Sequence, residues 1–197
     1  MLLLLLVGSF VALGFADERW MRAVAVLLQI GALAVGFLAT TLGRDHRWLG
    51  LFALVGTAAI VLVAMSGDTA SGIGEIAGVV VLAALLVAVL DRVLHHEQVS
   101  VQTLFGAVCA YFLIGLMFSA VYGALNDFSN TPVFGEPVDR SVFSYFSFTT
   151  LTTVGYGDFT AVTDIARRIA MIEAVLGQVF IATTLARLVS MYKSGRR

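Results

Sequence analysis

Polar breaks divide the chain into six apolar segments, Leu2–Phe15, Trp20–Leu42, Trp48–Met65, Ile73–Leu90, Val99–Leu125 and Ile165–Tyr192. A membrane-spanning helix needs about 20 predominantly apolar residues, so the pattern predicts six spans. The first is short, reaching about 24 Å at 1.5 Å per residue against a hydrocarbon core of about 30 Å. Gly14-Phe15-Ala16 ahead of Asp17 has the form of a signal cleavage site. With no positive residue ahead of the apolar run, a retained span is favoured, lying shallow or starting further upstream.

Between the fifth and sixth segments the character changes. NDFSNTPVFGEPVDR carries both prolines of the chain, and SVFSYFSFTTLTT then resumes as a shorter run rich in aromatic and hydroxyl side chains. That run is too short to cross the bilayer and return as two helices, so it reads as a re-entrant half-helix over about 141–152. Non-helical backbone is tolerated at membrane depth only where it is buried in protein or lines water. The stretch that follows, Thr152-Thr153-Val154-Gly155-Tyr156-Gly157-Asp158, is therefore an internal lining.

Composition agrees with a multi-spanning membrane protein: 59% of the 197 residues are hydrophobic and 13% charged, where soluble domains are about a quarter charged. Mean hydropathy is +0.96. A net charge of −1 offers no basic field for nucleic acid. The single cysteine, Cys109, excludes an intrachain disulfide and a site built on paired thiolates. Few residues follow the sixth segment, so no soluble ligand-binding domain is expected. With the loop before the half-helix outside, seven Arg and Lys residues lie inside (Arg44, Arg47, Arg92, Arg187, Lys193, Arg196, Arg197) against five outside (Arg19, Arg22, Arg140, Arg167, Arg168). This bias favours cytoplasmic termini and a multi-pass protein of the cell membrane.

A path selective for a dehydrated cation has to replace its hydration shell, and rings of backbone carbonyls can do this. Aiming successive carbonyls at one axis needs alternating backbone conformations, and Gly155 and Gly157 tolerate positive φ at no steric cost. On this reading Thr153, Val154, Gly155 and Tyr156 supply carbonyls and the Thr153 hydroxyl completes the innermost site. Val154 and Tyr156 point away from the axis and brace against half-helix aromatics, among them Tyr145 and Phe146.

The seven residues TTVGYGD resemble the selectivity-filter signature of potassium channels. Their context is also similar: an apolar helix, a half-helix ending in SFTTLTT, the filter, then one long helix. The resemblance covers roughly Val99 to Tyr192. It implies potassium ions at Thr153, Val154, Gly155 and Tyr156, with Gly157 completing the filter and Thr152, Asp158, Tyr145, Phe146 and Thr149 supporting it. It also implies a gating hinge at Gly177. Where some relatives carry a glutamate behind the filter, this chain has Thr149. One filter strand cannot surround an ion, so four copies are expected around one axis, a homotetramer embedded in lipid.

The expected architecture is all-α. Residues 1–94 form a four-helix domain resembling a voltage sensor, and residues 95–197 form the pore: outer helix 99–125, half-helix about 141–152, filter 153–157 and inner helix about 164–192. In voltage-gated relatives the fourth helix carries regularly spaced Arg or Lys, whereas here it has none before Arg92. Moving one charge across the membrane is worth about 2.3 kcal/mol per 100 mV, so strong voltage gating is not expected. Glu173, within the sixth segment, is a candidate cavity or gate residue by its depth, or else a hydrogen-bond partner of half-helix hydroxyls such as Thr149 or Thr150. Gln178, Ile181 and Leu185 recur at helical intervals and can line the cavity and inner mouth, or serve as packing.

The function expected is passive potassium conduction with no covalent chemistry and no cofactor beyond the permeant ion. A weakly selective cation channel is an alternative. From another class, Gly155-Tyr156-Gly157-Asp158 spells the G-x-G-D pattern resembling intramembrane aspartyl proteases. Such an enzyme needs a second aspartate at similar depth. The remaining aspartates (Asp17, Asp45, Asp68, Asp91, Asp127, Asp139, Asp164) fall in loops or at helix ends.

Overall fold

The structure is a computed structural model that describes residues 71–95 and 101–194, and the first three expected spans lie outside these residues. The described chain forms four helices: α1 (Ser71–His95), α2 (Val101–Phe128), α3 (Arg140–Leu151) and α4 (Asp164–Ser194). No strand occurs among the described residues. Two stretches, Thr103–Phe128 of α2 and Asp164–Arg187 of α4, are long and apolar enough to cross a membrane. The third helix, α3, has 12 residues and reaches about 18 Å at 1.5 Å per residue, which is a half-helix and not a span.

The helix α2 is sandwiched, and its sequence shows why. Cys109, Leu113 and Leu116 form one buried row, packed on Val81, Leu82 and Leu85 of α1. Ile114, Phe118 and Tyr122 recur every fourth residue on another face and pack on Phe143, Phe146 and Leu151 of α3 and Ala166 of α4. A helix packed on two sides is apolar nearly all round rather than in one stripe.

Within a bilayer, apolar transfer does little to hold helices together; close packing and interhelical hydrogen bonds do more. Gly115 illustrates the first, because a Cβ there would lie 2.7 Å from Phe148 Cζ, so only glycine lets that ring rest on the α2 backbone. The loop from α2 to α3 is pinned rather than loose. Val133 is fully buried, its N–H donates to Asn126 Oδ1 at 3.2 Å, and its carbonyl accepts from the Val162 N–H at 2.9 Å. Phe134 from the same loop packs against Phe143, Phe146 and Phe159.

Candidate functional site

A helix leaves its last four carbonyls without intrahelical partners. In α3 those belong to Phe148, Thr149, Thr150 and Leu151, and each has an acceptor role. Phe148 O accepts from the Thr152 N–H at 3.0 Å and the Thr152 hydroxyl at 2.6 Å. Thr149 O accepts from the Gly155 N–H at 3.1 Å, and Thr150 O from the Thr153 N–H at 2.9 Å. Leu151 O accepts from the Tyr111 hydroxyl of α2 at 3.0 Å. The chain emerging from α3 thus folds back and caps the helix it has just left.

The backbone from Thr153 to Gly157 alternates. Thr153, Gly155 and Gly157 have φ of 59°, 53° and 81°, and Thr153 is the only non-glycine with positive φ among the described residues. Side chains rarely adopt this region. The two glycines take it freely and Thr153 is held in it by the bond from its N–H to Thr150 O. Residues 152–158 are all exposed in the single chain, with Val154 at 54% and Tyr156 at 72%.

Of the expected support residues, Tyr145 holds the stretch after α3 from two sides. Its ring stacks on Tyr156, centroids 6.2 Å apart and planes within 5°, and its hydroxyl donates to Asp158 Oδ2 at 2.8 Å. That hydrogen bond pushes the Tyr145 phenol up to about 12. The other Asp158 oxygen accepts from the Phe159 N–H at 3.1 Å. Phe146 corrects the expectation of a direct brace: it is buried and packs on Tyr122 and Phe134, because it lies on the face of α3 turned to α2 and the loop. Thr149 turns its hydroxyl back to Phe146 O within its own helix.

Glu173 hydrogen-bonds a hydroxyl of the half-helix, as one of the two expectations had it, but not one of the hydroxyls named. It is fully buried, not cavity-facing, and its partners are Ser147 (Oγ to Oε1, 2.5 Å) and Tyr122 (hydroxyl to Oε2, 2.7 Å) rather than Thr149 or Thr150. The reason is helical geometry. Two residues on from Ser147 the helix has turned by about 200°, so Thr149 faces away. One turn along α4, Gly177 meets α3 again. A Cβ at Gly177 would lie 2.3 Å from Leu151 O, and α4 runs unbroken through this position, so close packing accounts for the glycine without a hinge. The pairs Glu173–Ser147 and Gly177–Leu151 are each one turn apart on both helices, which fixes the register of α4 on the half-helix.

Gln178 approaches the stretch after α3, with Nε2 3.4 Å from the Thr153 hydroxyl. Ile181 and Leu185 follow on α4, 45% and 59% exposed. Arg167 donates from Nε to Ala161 O at 2.8 Å, which ties the start of α4 to the segment after the filter.

Sequence reasoning missed an ionic clamp at the start of the half-helix. Arg140, the first residue of α3, pairs with Glu75 of α1 and, at 2.8 Å, with Asp127 near the end of α2. A cation at a helix N-terminus opposes the helix dipole, and two carboxylates around one guanidinium offset this. The planar fork of arginine suits a bridge between two carboxylates. Ser147 and Tyr122 were missed as well. The available signal was Glu173 itself, since a carboxyl in an apolar helix calls for hydroxyl partners.

Residues 110–194 match the model of a family described as ion channel, a stretch that runs from within α2 through α3 and residues 152–158 to the end of α4. No curated protein matches the chain. The family match and the two membrane-length helices agree on a membrane protein with an ion-channel domain.

Proposed function

From an ion-channel domain over residues 110–194, we propose that the chain is one of four identical subunits of a potassium-selective channel that conducts passively across the cell membrane. The observation that carries this reading is the backbone of TTVGYGD, where left-handed residues alternate at Thr153, Gly155 and Gly157. Such alternation is what a ladder of axial carbonyls requires. Thr153, Val154, Gly155 and Tyr156 hold the ions through their carbonyls, Gly157 ends the ladder, and Gln178, Ile181 and Leu185 line the water-filled approach from inside. The exposure of the whole filter supports the tetramer. So does α4, with 11% of its apolar window buried against 44% in α2, since that surface needs other copies or lipid to cover it.

In the full reading the chain has six spans, with residues 1–94 as a sensor-like domain without gating charges, residues 95–197 as the pore, and both termini in the cytoplasm. The test is flux through the purified full chain in lipid vesicles under potassium and sodium gradients. Reversal potentials that follow potassium alone are expected. Equal permeability to both ions would leave a weakly selective cation channel, and absence of flux would reject conduction. Asp158→Ala altering conduction, with no cleavage of a membrane substrate by either protein, separates the channel from a protease, for which the substitution would abolish cleavage.

A further inference from the structure

The three oxygen contacts around Glu173 allow a count of protons. Ser147 Oγ lies 2.5 Å from Glu173 Oε1 and 2.7 Å from the Gly115 carbonyl oxygen, while Tyr122 donates to Glu173 Oε2 at 2.7 Å. Each contact needs a hydrogen between its oxygens. Tyr122 supplies one and Ser147 supplies one, and a carbonyl supplies none. If Glu173 were a carboxylate, the serine hydrogen would serve two acceptors at once, and one of the two short contacts would set lone pair against lone pair.

We propose that Glu173 is a neutral carboxylic acid, donating from Oε1 to Ser147, which donates in turn to the Gly115 carbonyl, and accepting from Tyr122 at Oε2. Every donor and acceptor is then satisfied, and all point one way along a chain from α2 through α4 and α3 and back to α2. Aligned hydrogen bonds of this kind strengthen one another in a low-dielectric interior. The surroundings agree: Glu173 is fully buried and, among the described residues, no cation contributes to its environment. The titratable groups facing it are Tyr122 and Tyr111, both from α2; its neighbour on α3, Ser147, carries no charge. An unpaired carboxylate there would carry a large desolvation cost.

Glu173 is thereby a positioning residue for the filter. It holds Ser147, one turn before Leu151, and from Leu151 the chain passes directly into the capping turn and the filter. This role rests on the pore reading above, whereas the protonation state does not.

The experiment is infrared difference spectroscopy of the purified full chain in lipid at neutral pH, wild type against Glu173→Gln, with potassium and sodium permeabilities measured on the same preparations. A protonated-carboxyl stretch that vanishes in Glu173→Gln is expected, and Tyr122→Phe should move it to higher wavenumber by removing the donor to Oε2. The side-chain amide introduced by Glu173→Gln would accept from Tyr122 and donate to Ser147, so this variant should keep near-wild-type selectivity. Glu173→Ala, which strands both hydroxyls, should lose selectivity about tenfold or more. A carboxylate band from Glu173 overturns the protonation. Glu173→Gln losing selectivity as badly as Glu173→Ala overturns the relay. Absence of flux in the wild type rejects the pore reading, and with it the positioning role, while the infrared band still decides the proton.

Discussion

Replacing Gly177 with alanine places a methyl group where α4 touches the end of the half-helix. The new Cβ would lie 2.3 Å from Leu151 O and 3.0 Å from Leu151 Cδ1. Relieving the first contact even to 3.0 Å means moving the helices apart by 3.0 − 2.3 = 0.7 Å. Leu151 cannot retreat easily, since it is fully buried and its carbonyl is held by Tyr111. One turn away, the Glu173–Ser147 contact of 2.5 Å would be stretched by a similar amount. Overpacking of this kind costs about 1–3 kcal/mol, and a weakened buried hydrogen bond adds about 1. Against this, alanine gains at most about 1 kcal/mol over glycine in helix propensity. The net expectation is destabilisation by about 1–3 kcal/mol and, on the pore function proposed above, lower potassium selectivity, because the shift is delivered to the start of the 153–157 stretch.

Thermal or denaturant unfolding of the assembly in potassium measures the first effect and reversal potentials the second. Gly78 of α1 is the internal control, because a Cβ there meets nothing within 4 Å among the described residues. Gly78→Ala should be neutral or stabilising by up to about 1 kcal/mol. If Gly177→Ala proves as harmless to stability as Gly78→Ala, the packing account is wrong. A change confined to opening kinetics would restore the hinge role.

Arg140→Ala should lower stability by about 1 kcal/mol, less than a buried pair because the arginine is 43% exposed, and the loss should shrink at high salt. Arg140→Lys should recover part of it, since an ammonium lacks the fork that spans two carboxylates. Tyr145→Phe keeps the stack on Tyr156 but loses the bond to Asp158, so selectivity should fall and recover little with added potassium; an unchanged reversal potential would show the bond to be idle. The raised phenol pKa means this bond is fully present below pH 10 and lost as pH rises through about 12, so alkaline titration of Tyr145 should leave selectivity flat until pH exceeds 10. Conductance should rise only shallowly with voltage, because α1 has no Arg or Lys from Ser71 to Asp91; steep opening traced to movement of α1 would refute this.

The boundaries of α2, α3 and α4 were legible to within three residues, because Pro132, Pro137, Gly155 and Gly157 interrupt long apolar runs that leave little freedom elsewhere. The end of α1 was not, since the helix continues past Leu90 through charged residues to His95, where apolar pattern gives no signal. The alternating backbone of TTVGYGD was legible too, since it is set by consecutive residues and their glycines. What escaped was carried across helices. That Glu173 meets Ser147 and not Thr149 depends on the rotation of α3 about its own axis, which no local pattern sets. Gly177 has the same surface reading as a hinge or as a contact, and the contact is visible only once its distance to Leu151 is known. The Arg140 clamp joins residues 65 positions apart in sequence, and single charges at helix ends look alike until their partners are placed.

The capping of α3 by the chain that leaves it has a consequence for how this sequence can drift. The donors to Phe148, Thr149 and Thr150 include the backbone N–H groups of Thr152, Gly155 and Thr153. Those bonds come from backbone groups, so at Thr152 a substitution removes one only by introducing proline, the residue without an N–H, whereas Gly155 and Thr153 must also keep the positive φ that aims theirs. Inherited variation just after α3 is therefore constrained by which three positions must keep an amide hydrogen and by which two of them must keep a left-handed backbone to aim it.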